Sequence, residues 1–267
     1  MGESKSKKRR FLEEHRHCCF CGGQEPSTTI DHVPAKAHFP DGFAPEGFEF
    51  PACDSCNRGS KRDDQIAGFY TQIADFGDTS RTPEAEAKIR KLTNGIRENY
   101  PEALPNHDDG VPINQIGSLY TPTPVAVSFE VPAAYRPAMM RLQQKLTHAL
   151  YYRETGSPIT EAHHYGGGFY QIQNHPTTLT DYFKSILPQQ FIGGRPNIKQ
   201  DRYGQRFAFM SGYKDEDFFV YAAQFGIGMI FWGMVLGPAV FKTAQPSEVP
   251  LHRGGTIGQI TDEDRRP

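Results

Sequence analysis

All five cysteines of this 267-residue chain lie between positions 18 and 56, and the rest of the chain contains none. Cys18 and Cys21 form one C-x-x-C pair, and Cys53 and Cys56 form another. Two such pairs, each wrapping one side of an ion, are how four thiolates hold tetrahedral Zn²⁺. Gly22 and Gly23 follow the first pair and permit the tight turn of a knuckle, whose backbone N–H groups can point at the sulfurs. Cys19 is the spare and reads as a buried thiol or a competing ligand. A four-thiolate site has no open position for water, so the zinc would be structural. It would pin together a segment too small for much core, and any chemistry must come from groups that it positions.

The ligand reading requires reduced thiols. No apolar run follows the basic N-terminus, so no secretory signal is read there, and we expect a cytoplasmic protein whose cysteines serve metals before disulfides. Hydrophobic residues make up 37% and charged residues 22%, an ordinary globular composition rather than a disordered one. The formal net charge of −2 does not mark a nucleic-acid binder by itself. The most apolar stretch, residues 225–241, holds four glycines and a proline. It is read as a buried strand pair or core segment, not a membrane span.

The chain divides into five predicted segments. Residues 1–16 are a basic lead-in of frayed helical character. Residues 17–76 form the cysteine module in the order strand (27–33), loop, strand (48–52), helix. That helix starts at Asp54 or Ser55, with Ile66, Phe69, Tyr70, Ile73 and Phe76 at helical spacing. Residues 77–124 hold a helix from Pro83 to about Asn99 and a proline-rich linker. Residues 125–241 form a mixed α/β domain of unknown role. Its elements are strands near 125–131, 169–174, 206–211 and 218–225 and an amphipathic helix carrying Met139, Leu142, Leu146, Ala149 and Leu150. His163-His164 read as a surface loop, the glycines 166–168 are not a phosphate loop because no Lys-Ser/Thr follows them, and residues 242–267 read as a loose polar tail. The fold class expected is α+β.

Asp31-His32 lies between the cysteine pairs, and Asn57 follows the last cysteine directly. The set Cys18-x-x-Cys21, Asp31-His32-Val33-Pro34, Cys53-x-x-Cys56-Asn57 and Lys61 resembles the HNH endonucleases of the His-Me finger, or ββα-metal, superfamily. The resemblance is strongest to a bacterial branch with a Phe-Pro step in the loop, here Phe39-Pro40, and it covers about residues 17–70. It implies a zinc-stapled ββα nuclease module in which His32 is the general base, a role that suits imidazole near neutral pH. Asp31 and Asn57 would be the protein ligands of a catalytic Mg²⁺ or Mn²⁺, beside the structural Zn²⁺. The reaction implied is phosphodiester hydrolysis, acting on DNA and leaving 5′-phosphate and 3′-hydroxyl ends, in bacterial defence or a mobile element. Lys36, Arg58, Lys61 and Arg62 would hold backbone phosphates. No membrane partner is expected, and a double-strand break would need a homodimer or two sequential nicks. The sequence lacks the asparagine that braces the catalytic histidine in many members, and Phe48 stands near its place. His38, Glu49 or a backbone carbonyl remain to orient His32, and His38 is also a rival base or ligand. The alternative to the nuclease is a non-catalytic, zinc-stabilised nucleic-acid- or protein-binding module.

Overall fold

A computed structural model describes residues 3–39, 45–74, 82–106, 111–113, 115–116, 119–120, 126–128, 130–172, 177–187, 197–203, 206–214, 217–243, 251–255 and 257. The basic lead-in is a helix, α1 (Glu3–Glu14), braced by Arg9–Glu13 and Arg10–Glu14 ion pairs one turn apart. Strands β1 (Thr29–His32) and β2 (Glu49–Ala52) then pair antiparallel, with Asp31 opposite Phe50 and His32 opposite Glu49. A 3₁₀ turn over Lys36–His38 lies between them.

The single helix predicted after β2 is two helices, α2 (Asp54–Gly59) and α3 (Lys61–Ala74), which meet at Ser60. Gly59 is a weak helix former, and the Ser60 hydroxyl bonds Asn57 O (3.2 Å) and Asp64 Oδ2 (2.9 Å). A serine that bonds its neighbours this way favours a helix start over a helix interior. Phe76 and Pro40 lie outside the described residues. Helix α4 (Pro83–Asn99) begins as predicted, with Pro83 in the first turn and the Thr82 hydroxyl accepting from Ala85 N. A 3₁₀ turn (Pro101–Ala103) and four short strands follow: β3 (Val111–Ile113), β4 (Gln115–Ile116), β5 (Leu119–Tyr120) and β6 (Ala126–Ser128). They form two small antiparallel pairs, β3 with β6 and β4 with β5.

The remaining elements are α5 (Tyr135–Thr155), β7 (His164–Gln171), α6 (Leu179–Ile186), β8 (Asn197–Tyr203), β9 (Phe207–Lys214), β10 (Phe218–Phe225), β11 (Met229–Leu236), α7 (Pro238–Thr243) and β12 (His252–Arg253). The six strands form one antiparallel sheet in the order β12-β7-β11-β10-β9-β8. Alternation along β10 shows how the sheet is covered. Phe219, Tyr221, Ala223 and Phe225 face one apolar cluster, shared with α5, and Phe218, Val220 and Ala222 face the other, shared with α6 and α7. Burial on both faces explains why β10 reads as a nearly continuous apolar run.

Two expectations are corrected here. His164 is not part of a surface loop, because β7 begins there and carries Gly166–Gly168 through the sheet beside β11. A Cβ at Gly167 would lie 2.1 Å from Gln143 Nε2 and 2.2 Å from Trp232 O, so helix α5 can approach this strand only where side chains are missing. The tail is not uniformly loose either. β12 pairs with β7, and Ile257 N donates to Phe20 O at 2.9 Å, tying the tail to the cysteine knuckle.

The cysteine module and the sheet share one apolar cluster. Phe48 packs edge-on against Phe207 (5.5 Å between centroids) and Phe209 (5.8 Å), and Phe39 stacks on Phe225 at 6.1 Å. Edge-on and offset contacts between buried rings add to the hydrophobic gain. No described helix is long and apolar enough to cross a membrane.

Candidate metal centre and the Asp31–His32 strand

The Sγ atoms of Cys18, Cys21, Cys53 and Cys56 all lie within 4.8 Å of one another. A tetrahedral zinc with bonds of about 2.3 Å holds its sulfurs about 3.8 Å apart, so the four residues fit a single such ion. The knuckle supplies the expected support: Phe20 N donates to Cys18 Sγ and Glu25 N to Cys21 Sγ, each at 3.4 Å. Gly22 and Gly23 turn the chain with φ of 66° and 80°. The other pair brackets the start of α2, where Cys53 is the N-cap. Crowding sets the thiols against one another. Cys18 is pulled down to about 5, first by a hydrogen bond from Cys56, while burial pushes Cys21 up to about 12. Such a cluster releases its remaining protons to a cation. Cys19 is fully buried, burial pushes its thiol well up, and its carbonyl meets His148 Nδ1 at 3.1 Å. It is the buried spare.

Around this clamp the chain has the order β1, β2, α2. Asn57 sits on α2 and donates from Nδ2 to Thr29 Oγ1 (3.1 Å) and Ile30 O (3.3 Å), so the helix is fastened to the strand that carries Asp31 and His32. Adjacent strand residues point to opposite faces. Asp31 is buried, whereas His32 is partly exposed and shares its face with exposed Glu49. Among the residues considered for orienting His32, Glu49 is thus placed beside it. His38 is not a rival base or ligand. It is buried, its Nδ1 meets Thr71 Oγ1 at 3.1 Å, and burial pulls it down to about 4.

Asp31 meets a residue that sequence reasoning missed. Lys145 of α5 is buried, and its Nζ lies 2.9 Å from Asp31 Oδ2. The same ammonium donates to Ser60 Oγ (2.9 Å) and to both oxygens of Asp64 (3.1 and 2.9 Å). Its aligned bonds go to those groups, and Asp31 Oδ2 faces the charge without an aligned hydrogen bond. Burial pushes Asp31 up while Lys145 pulls it down. Burial also opposes the charge on Lys145, but Asp64 and Asp31 outweigh it and hold the amine above its ordinary value. A signal was present in the sequence: Lys145 lies three residues after Leu142 and four before Ala149, on the predicted apolar stripe. With an ammonium against it, Asp31 does not fit a divalent cation as it stands; the Asn57 amide nitrogen is committed to β1, and a cation would be taken by its amide oxygen.

Of the predicted phosphate contacts, Lys36 and Lys61 are exposed. Arg58 pairs with Asp54 at 2.9 Å, and Arg62 pairs with Glu102 at 2.7 Å and lies over the Tyr100 ring. Exposed pairs of this kind are weak and leave both arginines able to meet another anion. No family model, curated protein or solved structure matches the chain.

Proposed function

We propose that the chain is an HNH-type endonuclease that hydrolyses phosphodiester bonds in DNA. The observation that carries this reading is the placement of His32 at the open end of a strand that Asn57 and the four-cysteine clamp fasten to a short helix. His32 takes the proton from a water molecule, the resulting hydroxide bonds to phosphorus as the P–O3′ bond breaks, and the departing 3′ oxygen takes a proton from solvent, leaving a 5′-phosphate and a 3′-hydroxyl. Glu49, on the same face, is placed to orient the imidazole in the role that the missing asparagine has in similar proteins. Lys36 and Lys61 offer exposed positive charge to backbone phosphates, which makes binding salt-sensitive and largely indifferent to sequence.

A second reading has one observation in its favour. The Asp31–Lys145 pair neutralises the acid that the reaction would need, as expected of a non-catalytic, zinc-stabilised module that binds nucleic acid or protein. Supercoiled plasmid incubated with Mg²⁺ or Mn²⁺ separates the two. Nicking that His32→Ala abolishes, at equal zinc content and equal DNA affinity, is the expected result, in the wild type or, where the Lys145 charge withholds the metal, in Lys145→Met. Equal behaviour with and without His32 in both backgrounds, on plasmid and on single-stranded DNA and RNA, would refute the nuclease.

A further inference from the structure

Three elements converge on one buried ammonium. β1 brings Asp31, the start of α3 brings Ser60 and Asp64, and α5 brings Lys145. The nearest further charges are Arg141, one turn back along α5, and Asp63, which pair at 3.7 Å. Two carboxylates around one ammonium leave the cluster short of one positive charge, so it attracts cations. Asp31 Oδ2 lies 2.9 Å from the ammonium, as Ser60 Oγ and Asp64 Oδ2 do, but it is buried and lacks an aligned hydrogen bond, which is the state of a ligand held by charge alone. A cavity of about 180 Å³, lined by Ser55, Cys56, Gly59, Ser60, Arg141, Lys145 and Ile257, opens beside the lysine. The four-carbon stem of a lysine can swing its charge through such a space without moving the helix that bears it.

We propose that Lys145 is a built-in competitor for the divalent cation. Its ammonium holds Asp31 in a cation-free state, and the ββα site takes up metal only when that charge is withdrawn. The inference rests on the reading of Asp31 as the acid that would face the cation. It goes beyond that reading in placing control of the site on α5, outside the nuclease motif. A divalent ion on Asp31 and the ammonium in its present position would repel at close range in a poorly solvated site, so the two alternate.

The test uses the full chain loaded with zinc and titrates Mn²⁺, following free ion by its paramagnetic resonance. The wild type is expected to show no Asp31-dependent Mn²⁺ binding, its isotherm superimposing on that of Asp31→Asn. Lys145→Met is expected to gain one Mn²⁺ with at least tenfold higher affinity, and Asp31→Asn in that background to remove it. A wild-type Mn²⁺ site that Asp31→Asn abolishes would overturn the proposal, and this arm decides even if Lys145→Met does not fold. A folded Lys145→Met protein that gains no site would overturn it as well. Plasmid nicking on the same samples keeps the two readings apart. Mn²⁺ bound through Asp31 in Lys145→Met without nicking sinks the nuclease and leaves the competitor intact. Nicking by a wild type that binds Mn²⁺ through Asp31 does the reverse.

Discussion

The stability of the Lys145 cluster gives the sharpest prediction. The lysine side chain is 3% exposed and that of Asp31 9%, so neither charge has water to fall back on. Lys145→Met keeps much of the volume and removes the charge. It leaves Asp31 and Asp64 facing each other with no cation, and breaking a buried pair in this way costs about 3–5 kcal/mol. For a chain of this length that corresponds to roughly 10 °C in Tm. Asp31→Asn leaves Lys145 still paired with Asp64, so its cost is smaller, about 1–3 kcal/mol. The double variant is expected to be less damaged than the sum of the two, with a coupling of about 1–3 kcal/mol, because the residues touch. Urea unfolding of the zinc-loaded proteins measures all three. The single tryptophan, Trp232 of β11, reports from the sheet against which α5 packs. The pH dependence has a definite sign. Without the ammonium, the buried carboxyl of Asp31 rises further above its unfolded value, and a raised carboxyl adds stability at low pH that is lost as pH rises. The penalty of Lys145→Met is thus smaller at pH 5 than at pH 7.5. A penalty below about 1 kcal/mol, or additive energies, would refute the buried pair.

Three further outcomes are expected. Zinc analysis should find one ion per chain and none in Cys18→Ser/Cys56→Ser. Because the clamp and the sheet share one core, chelation should destabilise both in one transition, and a metal-free state that keeps the sheet would contradict this. Gly167→Ala should cost about 1–3 kcal/mol by overpacking, since its Cβ would meet Gln143 and Trp232; a neutral result in thermal unfolding would show that α5 stands further from β7. His38 and His148 are both pulled by burial from 6.5 to about 4. A lowered folded value gives stability that is present above pH 6.5 and lost as pH falls towards 4, about 3 kcal/mol for each. Replacing either by Gln should flatten the stability profile over that window, and an unchanged slope would refute its burial as a neutral ring.

What could be read from the sequence follows from how local each signal is. The two C-x-x-C pairs and the knuckle glycines specify a geometry within a few residues, and the four sulfurs are where that spacing puts them. β10 and the Pro83 start of α4 were equally plain, because an apolar run and a helix-start proline are local properties. The strand through His164 and the glycines 166–168 was missed for the same reason. A glycine run carries no local strand signal. What requires Gly167 is the approach of Gln143 and Trp232, one twenty-odd residues earlier and the other some sixty later in the chain. The tail misled similarly, since its partners, β7 and Phe20, are remote in sequence.

Lys145 is the instructive case, because its position on an apolar stripe was visible and its meaning was not. A lysine inside a buried helix face is costly unless carboxylates meet it, and the sequence offers many acids without naming which. The structure selects Asp31 and Asp64. One of these is the acid of the Asp-His motif, so the candidate site cannot be understood from residues 17–70 alone. The four-cysteine cluster sets where β1 and α2 stand, and α5 sets the charge that Asp31 experiences. Excising the module would remove that second influence along with the core it shares with Phe207, Phe209 and Phe225. Activity or metal affinity measured on such a fragment would therefore describe an Asp31 freed of its ammonium, not the protein's own site.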